Sequence, residues 1–492
     1  MTSLLGLVVL YLLGTLAIGL YAATRVKTST DFALAGRSLP LVMIVTTTFA
    51  TWFGSETVLG ISAKFVQNGL NGVVEDPFGA SMCLVFVGMF FAARLYRMNL
   101  LTIGDFYRKR YGKTVEIFCS VAIILSYLGW VAAQITALGL VFNVVSGGAI
   151  SEELGMVIGT LSVLVYVIFG GMLAIAWTDF IQMIVLVIGL TIISFVAGDL
   201  AGGPGKVYDL AVTNDLFKFL PDPKFKDMMF FFAAAITMML GSIPQQDIFQ
   251  RVMAAKDAKT ASLGAIIGGF SYLLFAFVPM FIVACAVIIM PEETKRLLDG
   301  GAQMAQRVLP TLILTHMPFW AQVIFFGALL SAIKSTASAT LLAPSTSFVE
   351  NIYKYLHHGL NDKQELLAFR VTLFFFTCIV LLYAIVMKGT PIYEMVSGAY
   401  QVTLVGAFLP LVCGLYWKRA TRYGAIASIV LGIFTWLIFV LTPLGTDYPA
   451  QLAGIIMAAV GMVAGSLLSK PHAHHAHPEA LHSHDHAHSH AD

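Results

Sequence analysis

The chain has 492 residues, of which 58% are hydrophobic and 11% are charged, and its mean hydropathy is +0.84. This composition excludes a soluble globular protein and indicates an all-α polytopic membrane protein. The net charge of +2 says nothing about a ligand, because the charged residues are sorted by membrane side.

Apolar stretches of about 20 residues, each long enough to cross a hydrocarbon core of about 30 Å, recur about thirteen times along the chain. The first stretch has no positively charged start and no cleavage site of small residues, so we expect a retained helix and not a signal peptide. The predicted spans are 4–23, 40–62, 73–95, 116–145, 154–173, 176–198, 228–250, 262–290, 318–346, 366–388, 391–417, 422–443 and 449–469.

Lysine and arginine residues set the expected orientation, because short cytoplasmic loops are enriched in both. The loops after spans one, three, seven, nine and eleven are basic, as in RKRYGK at 108–113, whereas the intervening loops are acidic or mixed, as in SEEL at 151–154. We therefore expect a multi-pass protein of the inner (plasma) membrane, with the N-terminus outside and the C-terminus in the cytoplasm.

Two spans carry helix-breaking residues at corresponding places. Span two contains TWFGSETVLG at 51–60, and span seven contains MMLGSIPQQD at 238–247. A Gly-Ser pair in mid-membrane, repeated five spans later, is typical of an inverted repeat whose first helices are both broken. The repeats would cover about 40–198 and 228–417, with one extra helix before them and two after. Chance is the alternative, since glycine is frequent in membrane helices.

The membrane-spanning region covers residues 1–470, and a low-complexity segment rich in histidine follows at 471–492. We expect a disordered cytoplasmic tail, either weakly metal-chelating or merely solvated. Its histidines are His472, His474, His475, His477, His482, His484, His486, His488 and His490.

Six segments resemble the sodium:solute symporter family in their order and spacing. They are DFALAGRSLP at 31–40, FATWFGSETVLGISAKFVQNGL at 49–70, LTIGDFYRKRYG at 101–112, FGGMLAIAWTDFIQ at 169–182, IPQQDIFQRVMAAKDAKTA at 243–261 and LLSAIKSTASATLLAPS at 329–345. Within the family, several of these runs are similar to the choline-transporter branch. The resemblance implies a LeuT-like fold with a five-plus-five inverted repeat, alternating access, and symport of a small organic solute with Na⁺ as the coupling ion.

The same resemblance implies where the sodium ion binds. Backbone carbonyls of Ala50, Phe53 and Ala332 and the hydroxyls of Ser335 and Thr336 match the main sodium site of the family. Sodium prefers about five oxygen ligands, and an interrupted helix frees carbonyl groups whose dipoles favour a cation.

A second cation site occurs in some members of the family. Asp179 and Ser338 match two of its ligands, whereas Ala339 replaces a hydroxyl, so we expect this site to be incomplete. Lys334 shares a helix face with Ser338, and we expect its ammonium to reach Asp179, or else Glu56, and to replace a second sodium ion. The alternative is that Lys334 snorkels towards the cytoplasm or forms a static pair.

Polar and aromatic residues near the two breaks are candidates for the solute site. Trp52 and Trp130 match two aromatic residues of the cage in choline transporters, and Gln245 stands where a third aromatic residue would be, which weakens attraction for a cation. A zwitterion or an amine would fit as well as a hydroxylated solute. For Trp130 the alternative is core packing, and for Asp76 it is a helix start. The candidates are Trp52, Ser55, Glu56, Thr57, Asp76, Trp130, Gln134, Gln245 and Gln246.

Other classes of protein remain as alternatives. A proton-coupled transporter would follow if Lys334 titrates during the cycle, and a transporter-like sensor would need a separate signalling partner. A channel would need a continuous polar pore, whereas the polar residues cluster at one level. We find no enzyme motif, no Walker A motif and no nucleic-acid-binding pattern; the expected partners are the solute and membrane lipid.

Overall fold

The structure is a computed structural model, and it describes residues 2–471. The tail histidines, from His472 onward, lie outside the described residues. The first half of the chain forms α1 (Thr2–Ala23), α2 (Ser29–Leu34), α3 (Leu41–Trp52), α4 (Ser62–Asn68), α5 (Ala80–Phe86), α6 (Ala92–Arg97), α7 (Ile103–Tyr111), α8 (Lys113–Val145), α9 (Glu152–Leu200), α10 (Pro204–Thr213), α11 (Phe225–Gly241) and α12 (Gln246–Met253).

The second half forms α13 (Ala258–Ile289), α14 (Pro291–Asp299), α15 (Ala302–Ala305), α16 (Val308–His316), α17 (Phe319–Phe348), α18 (Lys354–Leu356), α19 (Asp362–Val386), α20 (Ile392–Gly406), α21 (Phe408–Tyr416), α22 (Arg422–Leu441), α23 (Leu444–Asp447) and α24 (Ala450–Leu468). Single π-helical turns join several of these helices, at Glu56–Ile61, Val74–Gly79, Val87–Phe91 and Val349–Tyr353. Such turns are rare and frequently accompany functional sites.

Short helices in the basic loops begin at side-chain caps. Thr28 accepts a hydrogen bond from the backbone of Asp31, and the Asp31 carboxylate accepts one in return from the backbone of Thr28. Thr102 and Asp105 form the same capping box at the start of α7. These caps satisfy backbone N–H groups that have no partner within the helix, so the helices start where the sequence places Thr three residues before Asp.

Membrane-spanning helices account for most of the structure. Between residues 2 and 471, nine helices are long and apolar enough to cross a membrane, and the number rises to eleven if each of two bent helix pairs forms one span. The predicted spans 154–173 and 176–198 both lie within one helical element, α9. The residues between them are apolar, and the backbone departs from helical geometry only at Gly171 (φ 53°, ψ −139°).

Helix α17 lies at the centre of the bundle. It packs on α9, α8 and α3. In its most apolar stretch of 18 residues 83% is buried, compared with 28% in the corresponding stretches of α1, α19, α22 and α24. Those four helices are therefore peripheral, and α22 and α24 pack chiefly on each other. Any ligand that α17 binds is held in the interior of the protein and away from lipid.

The two segments that carry the Gly-Ser pairs are hydrogen-bonded to each other, at the start of the first and the end of the second. The backbone N–H of Leu39, before α3, donates to Ala254 (3.0 Å), and the N–H of Lys256, after α12, donates to the carbonyl of Leu39 (3.0 Å). The start of one segment and the end of the other therefore lie at the same side of the bundle. The two segments consequently cross the protein in opposite directions.

Candidate functional site

The first interruption is at Gly54, as the Gly-Ser pattern predicts. Helix α3 ends at Trp52, and Phe53 leaves the helical region (φ −85°, ψ 75°) before a π-helical turn begins at Glu56. A Cβ atom on Gly54 would lie 2.5 Å from Thr336 Oγ1 and 2.7 Å from Glu56 Oε2. Only glycine permits this approach of α17 to the broken helix.

The second interruption, at Gly241-Ser242, is also confirmed. Helices α11 and α12 are bent by 41° across residues 242–245. A Cβ atom on Gly241 would lie 2.5 Å from the carbonyl oxygen of Tyr400, so here the missing side chain allows α20 to pack against the break. The helix that follows begins at Gln246 and carries Asp247 in its first turn.

Oxygen atoms of α3 and α17 converge beside the first interruption. Ser335 Oγ lies 2.6 Å from the carbonyl oxygen of Ala50 and 2.9 Å from that of Ala332. Thr336 Oγ1 is buried and has no hydrogen-bond partner among the residues that the structure describes. Three of the predicted sodium ligands are thus in mutual contact, and Thr336 lies against Gly54, next to Phe53.

Lys334 lies on the opposite side of α17 from this oxygen cluster. Its ammonium donates to Thr15 Oγ1 of α1 (2.9 Å) and lies 5.3 Å from the centroid of the Tyr166 ring. The structure does not bring this ammonium to Asp179 or Glu56, because Tyr166 of α9 and the hydroxyl of Thr15 surround it. Lys334 is fully buried, so its ammonium does not reach the surface of the protein.

Asp179 stays within the protein interior without a bound ammonium. Thr47 donates to Asp179 Oδ2 (2.7 Å), whereas Asp179 Oδ1 is buried and has no hydrogen-bond partner within residues 2–471. Ser338 Oγ donates to the carbonyl of Ser335 (3.0 Å). A carboxylate oxygen without a donor is costly in this environment, so Asp179 Oδ1 is available to bind a cation.

Five aromatic rings form a cluster around the two interruptions. Trp52 contacts Trp130, Tyr272 and Tyr400 at centroid distances of 6.4, 6.4 and 6.2 Å. Tyr400 lies 5.2 Å from Trp130, and Tyr127 stacks on the other side of Trp130 at 5.9 Å. The aromatic cluster therefore consists of Trp52, Tyr127, Trp130, Tyr272 and Tyr400, all of them buried. Both predicted tryptophans belong to it.

Two carboxylates beside this cluster accept hydrogen bonds from uncharged donors. Glu56 accepts from Trp130 Nε1 (3.1 Å) and from Gln134 Nε2 (2.7 Å), and Asp76 accepts from the hydroxyl of Tyr272 (2.5 Å). Each carboxylate is only 2% exposed, and neither lies within 4 Å of a basic side chain in the described part of the chain. Two buried carboxylates without a cation are strongly unfavourable, so this place calls for a positively charged ligand or a proton.

Asp247 and Arg251 form the inner edge of the cluster. Asp247 accepts from Trp52 Nε1 (3.0 Å) and from the Tyr127 hydroxyl (2.5 Å). Arg251 is 1% exposed, and its guanidinium donates to Thr51 Oγ1 (3.0 Å) and to the carbonyl of Asp247 (3.1 Å). These contacts connect the second broken helix with the end of α3.

The remaining predicted solute residues divide between the cluster and its surroundings. The Ser55 N–H donates to Gln134 Oε1 (3.0 Å), and Thr57 and Tyr272 share a hydrogen bond (3.0 Å). Gln245 donates to Ser126 (3.2 Å) and to Thr403 (3.1 Å). The structure does not bring Gln246 to the cluster: its Oε1 accepts from the backbone N–H of Ile103 (2.9 Å), because it begins α12 with its side chain towards α7.

Three tyrosines of the cluster and Arg251 were not among the predicted site residues. Tyr127 precedes Trp130 by three residues and Gln134 by seven, so helical spacing alone places it on the same face of α8. Tyr272, Tyr400 and Arg251 give no such signal. They come from other helices, and their approach depends on how the bundle packs.

Comparisons with known proteins agree with this architecture. The model of the sodium:solute symporter family matches residues 32–432. Human high affinity choline transporter 1 is 26% identical over 447 residues, which are 88% of this chain and 76% of that protein. The high-affinity proline transporter PutP of Bacillus subtilis is 27% identical over 470 residues, covering 92% of this chain and 96% of PutP.

Solved structures give the same result at the level of the fold. A Na⁺-coupled sialic acid symporter in a substrate-bound, outward-open state superposes with a TM-score of 0.81 at 19% identity, covering 95% of this chain and 98% of that one. Mhp1, a nucleobase-cation-symport-1 family transporter, superposes with a TM-score of 0.58 at 13% identity, covering 88% of this chain and 93% of that one. At these identities the likeness concerns the fold alone, and it is the likeness expected of a LeuT-like transporter.

Proposed function

Since the chain belongs to the sodium:solute symporter family, we propose that it takes up a small organic solute bearing an ammonium group, with one sodium ion as the coupling ion. Like its relatives, the chain is a membrane transporter and not an enzyme. The observation that carries the proposal is the convergence of the Ser335 hydroxyl with the carbonyls of Ala50 and Ala332, at distances of 2.6 and 2.9 Å, beside a broken helix.

The proposed architecture has thirteen spans. Helix α9, with 49 residues, would be about 74 Å long if straight, more than twice the hydrocarbon thickness of about 30 Å. Two spans that meet at Gly171 account for this length. Residues 1–470 would then form one transporter domain, with inverted repeats at about 40–198 and 228–417. The opposite directions of the two broken segments support this arrangement.

The proposed sodium ligands are the carbonyls of Ala50, Phe53 and Ala332 and the hydroxyls of Ser335 and Thr336. An ion at this place would replace the hydrogen bonds that Ser335 makes to the two carbonyls and would give the buried Thr336 hydroxyl a partner. All five groups are uncharged oxygen donors, which suits a hard monovalent cation. The end of α3 adds the partial negative charge of its carbonyl dipoles.

Lys334 does not stand in the place of a second ion in this arrangement. Asp179 and Ser338 remain candidate ligands, with the free Asp179 oxygen as the group that would gain most. A second sodium ion or a proton at Asp179 would therefore change the stoichiometry. We favour one sodium ion per solute, because Ala339 offers no hydroxyl to complete this site.

The proposed solute site is formed by the aromatic cluster together with the carboxylates Glu56 and Asp76, which are hydrogen-bonded to its members. Their partners are an indole, an amide and a phenol, none of which carries a charge. An ammonium group would neutralise the carboxylates and contact the ring faces, which attract cations. Choline and proline, after which two relatives are named, both carry a positively charged nitrogen.

Uptake into proteoliposomes tests the coupling ion and the solute class together. Radiolabelled choline, ethanolamine, proline and glucose are offered under an inward sodium gradient and, separately, under a pH gradient in sodium-free buffer. We expect sodium-dependent uptake of at least one ammonium-bearing solute and none of glucose. The Glu56→Gln variant should lose this uptake, whereas Glu394→Gln, which changes an exposed carboxylate on α20, should retain it.

Each contrary outcome has a distinct meaning. Uptake driven by the pH gradient without sodium would replace the proposal with a proton-coupled transporter. Solute binding without uptake under either gradient would favour a sensor that acts through a separate partner. Uptake of glucose by both the parent and Glu56→Gln would overturn the assignment of the solute class.

The proposed orientation in the inner membrane places the N-terminus outside and the C-terminus in the cytoplasm. This orientation is inferred from the basic loops. The isolated β-bridge between Leu39 and Ala255 would lie on the cytoplasmic side. Attachment of a membrane-impermeant label to an engineered cysteine at Asn68 in intact cells checks it. Labelling without permeabilisation is expected.

A further inference from the structure

One cavity, which no part of the proposed mechanism uses, lies outside the central cluster. Its volume is about 510 Å³, and its walls include Lys64, Glu75, Asp222 and Tyr393. These residues belong to loops or helix ends on the side away from Leu39, which is the outer side in the proposed orientation. We call this space the outer cavity.

The outer cavity is separated from the central carboxylates by two side chains. Glu75 and Tyr393 line the outer cavity, and they also line a narrow space that Glu56 and Asp76 share. A solute that enters from the outer side and moves towards the aromatic cluster therefore passes Glu75 and Tyr393 first.

Glu75 offers an unsatisfied acceptor to this cavity. It is 6% exposed, and its Oε2 accepts from the hydroxyl of Ser397 (3.1 Å). Its Oε1 is buried and has no hydrogen-bond partner within the part of the chain that the structure describes. A desolvated carboxylate oxygen in this state gains much from a charged donor.

The ring face of Tyr393 is covered by the ammonium group of Lys64. The ammonium of Lys64 lies 5.6 Å from the centroid of the Tyr393 ring. Lys64 makes no salt bridge within 4 Å among residues 2–471, whereas Lys218, the other lysine of this cavity, is held by Asp222 at 2.6 Å. The Lys64 ammonium thus lies over the Tyr393 ring face that a cationic ligand would contact.

We propose that Glu75 and Tyr393 form an outer binding site for an ammonium group, and that Lys64 is a built-in competitor which the incoming group displaces. This inference rests on the proposed solute class, and it adds a waiting position before the central site. An entering ammonium would contact the Tyr393 ring and bind Glu75 while Lys64 moves into the water of the cavity. Lys64 then sets how much solute is needed to fill the site.

Protection of an engineered cysteine tests the outer site without any need for transport. Asn68 lines the outer cavity and is exposed, so Asn68→Cys in a Cys378→Ser background reports access. The protein in detergent, free of sodium, is labelled with a neutral maleimide at increasing concentrations of tetramethylammonium chloride. Potassium chloride at equal ionic strength serves as the salt control. We expect tetramethylammonium, but not potassium, to slow the labelling.

Four further variants identify the residues that bind. Lys64→Gln should lower the half-protecting concentration about five- to thirtyfold, the range expected when a competing cation leaves a ring face. Lys218→Gln, the matched control, should stay within about twofold, since its ammonium already sits on Asp222. Glu75→Gln and Tyr393→Leu should abolish protection, whereas Tyr393→Phe, which keeps the ring, should preserve it.

Two outcomes would overturn the outer site. Equal shifts in Lys64→Gln and Lys218→Gln would reduce the effect to the loss of a positive charge, and protection that survives both Glu75→Gln and Tyr393→Leu would place the probe elsewhere. Glu56→Gln separates this result from the central site, because it should keep the outer protection even though it lacks uptake. A failure of sodium-coupled uptake alone leaves the outer site standing.

Discussion

Lys334 and Ser335 are consecutive residues of α17, yet they serve opposite sides of the protein. Ser335 contacts the interrupted helix through the carbonyl of Ala50, whereas Lys334 contacts the continuous helix α1 through Thr15. Both are fully buried. On the side of Ser335, the Thr336 hydroxyl has no hydrogen-bond partner in the described part of the chain. On the side of Lys334, the charge is already held by a hydroxyl and a ring.

This difference shows how one helix separates a binding face from a structural face. An interrupted helix presents carbonyl groups that no backbone N–H occupies, so it can accept a cation. A continuous helix such as α1 has no free carbonyl in mid-span and offers only side chains. The four predictions below alter one face at a time, and the first three concern the binding face.

Removal of the central hydroxyl is expected to have the largest effect. Ser335→Ala deletes the side-chain oxygen that contacts both Ala50 and Ala332, and we expect sodium affinity to fall about tenfold to a hundredfold. Sodium raises the apparent stability of a protein that binds it, so thermal shift in detergent, with potassium as reference, measures the change without a known solute. Ser331→Ala, on the same helix but hydrogen-bonded to Tyr11, is the control. An unchanged sodium-dependent shift in Ser335→Ala would move the ion elsewhere.

A methyl group at the interruption is expected to have the next largest effect. In Gly54→Ala the added Cβ would lie 2.5 Å from Thr336 Oγ1, so α17 must move away and sodium affinity should fall about five- to fiftyfold. Gly327→Ala, where nothing lies within 4 Å of the new atom, should match the parent in the same sodium titration. Equal behaviour of the two variants would contradict a close contact between α17 and the break.

Loss of the second hydroxyl is expected to have a smaller effect. Thr336→Val keeps the shape of the side chain and removes one oxygen of the five, so sodium affinity should fall about two- to tenfold. Thr336→Ser retains the oxygen and should stay close to the parent. The sodium titration by thermal shift checks both, and a Thr336→Val variant indistinguishable from Thr336→Ser would exclude this hydroxyl as a ligand.

Replacement of the lysine is expected to leave ion binding unaffected. In Lys334→Met an apolar side chain of similar length fills the same space, and sodium affinity should stay within about twofold of the parent. The buried ammonium has no carboxylate partner among residues 2–471, so its removal should raise the melting temperature by about 2 °C or more. Thr15→Val, which instead leaves the ammonium without its acceptor, should lower it. A change in sodium affinity of Lys334→Met would restore Lys334 to the ion pathway.

Much of the fold follows from the sequence for simple reasons. Lipid forces every spanning segment to satisfy its own backbone, so apolar length alone locates the helices. Glycine beside serine in mid-span marks both interruptions, because glycine opposes a regular helix and polar residues follow each pair. The boundary between spans 154–173 and 176–198 is marked less clearly in the sequence, because the residues there are apolar and the backbone departs from helical geometry at Gly171.

The candidate site was accessible to sequence reasoning where a motif or helical spacing carries information. The Trp52, Glu56, Ser335 and Thr336 positions lie within the family-like segments. The resemblance also places Asp179 in the interior, where the structure leaves one of its oxygens free. The sequence did not indicate that the two glutamines diverge, because a helix start can aim adjacent side chains at different neighbours, here Gln245 towards α20 and Gln246 towards α7.

Sequence alone thus determined the membrane class, the two interruptions and the polar residues that accompany them, since each depends on local chain chemistry in lipid. Which of these residues meet depends on how the helices pack in the bundle. Tyr272, Tyr400 and Arg251 join the cluster from distant helices, and Lys334 turns to Thr15 and Tyr166 because the rotation of α17 within the bundle fixes the direction of every side chain along it. That rotation is set by packing against several helices at once, and no single segment of sequence encodes it.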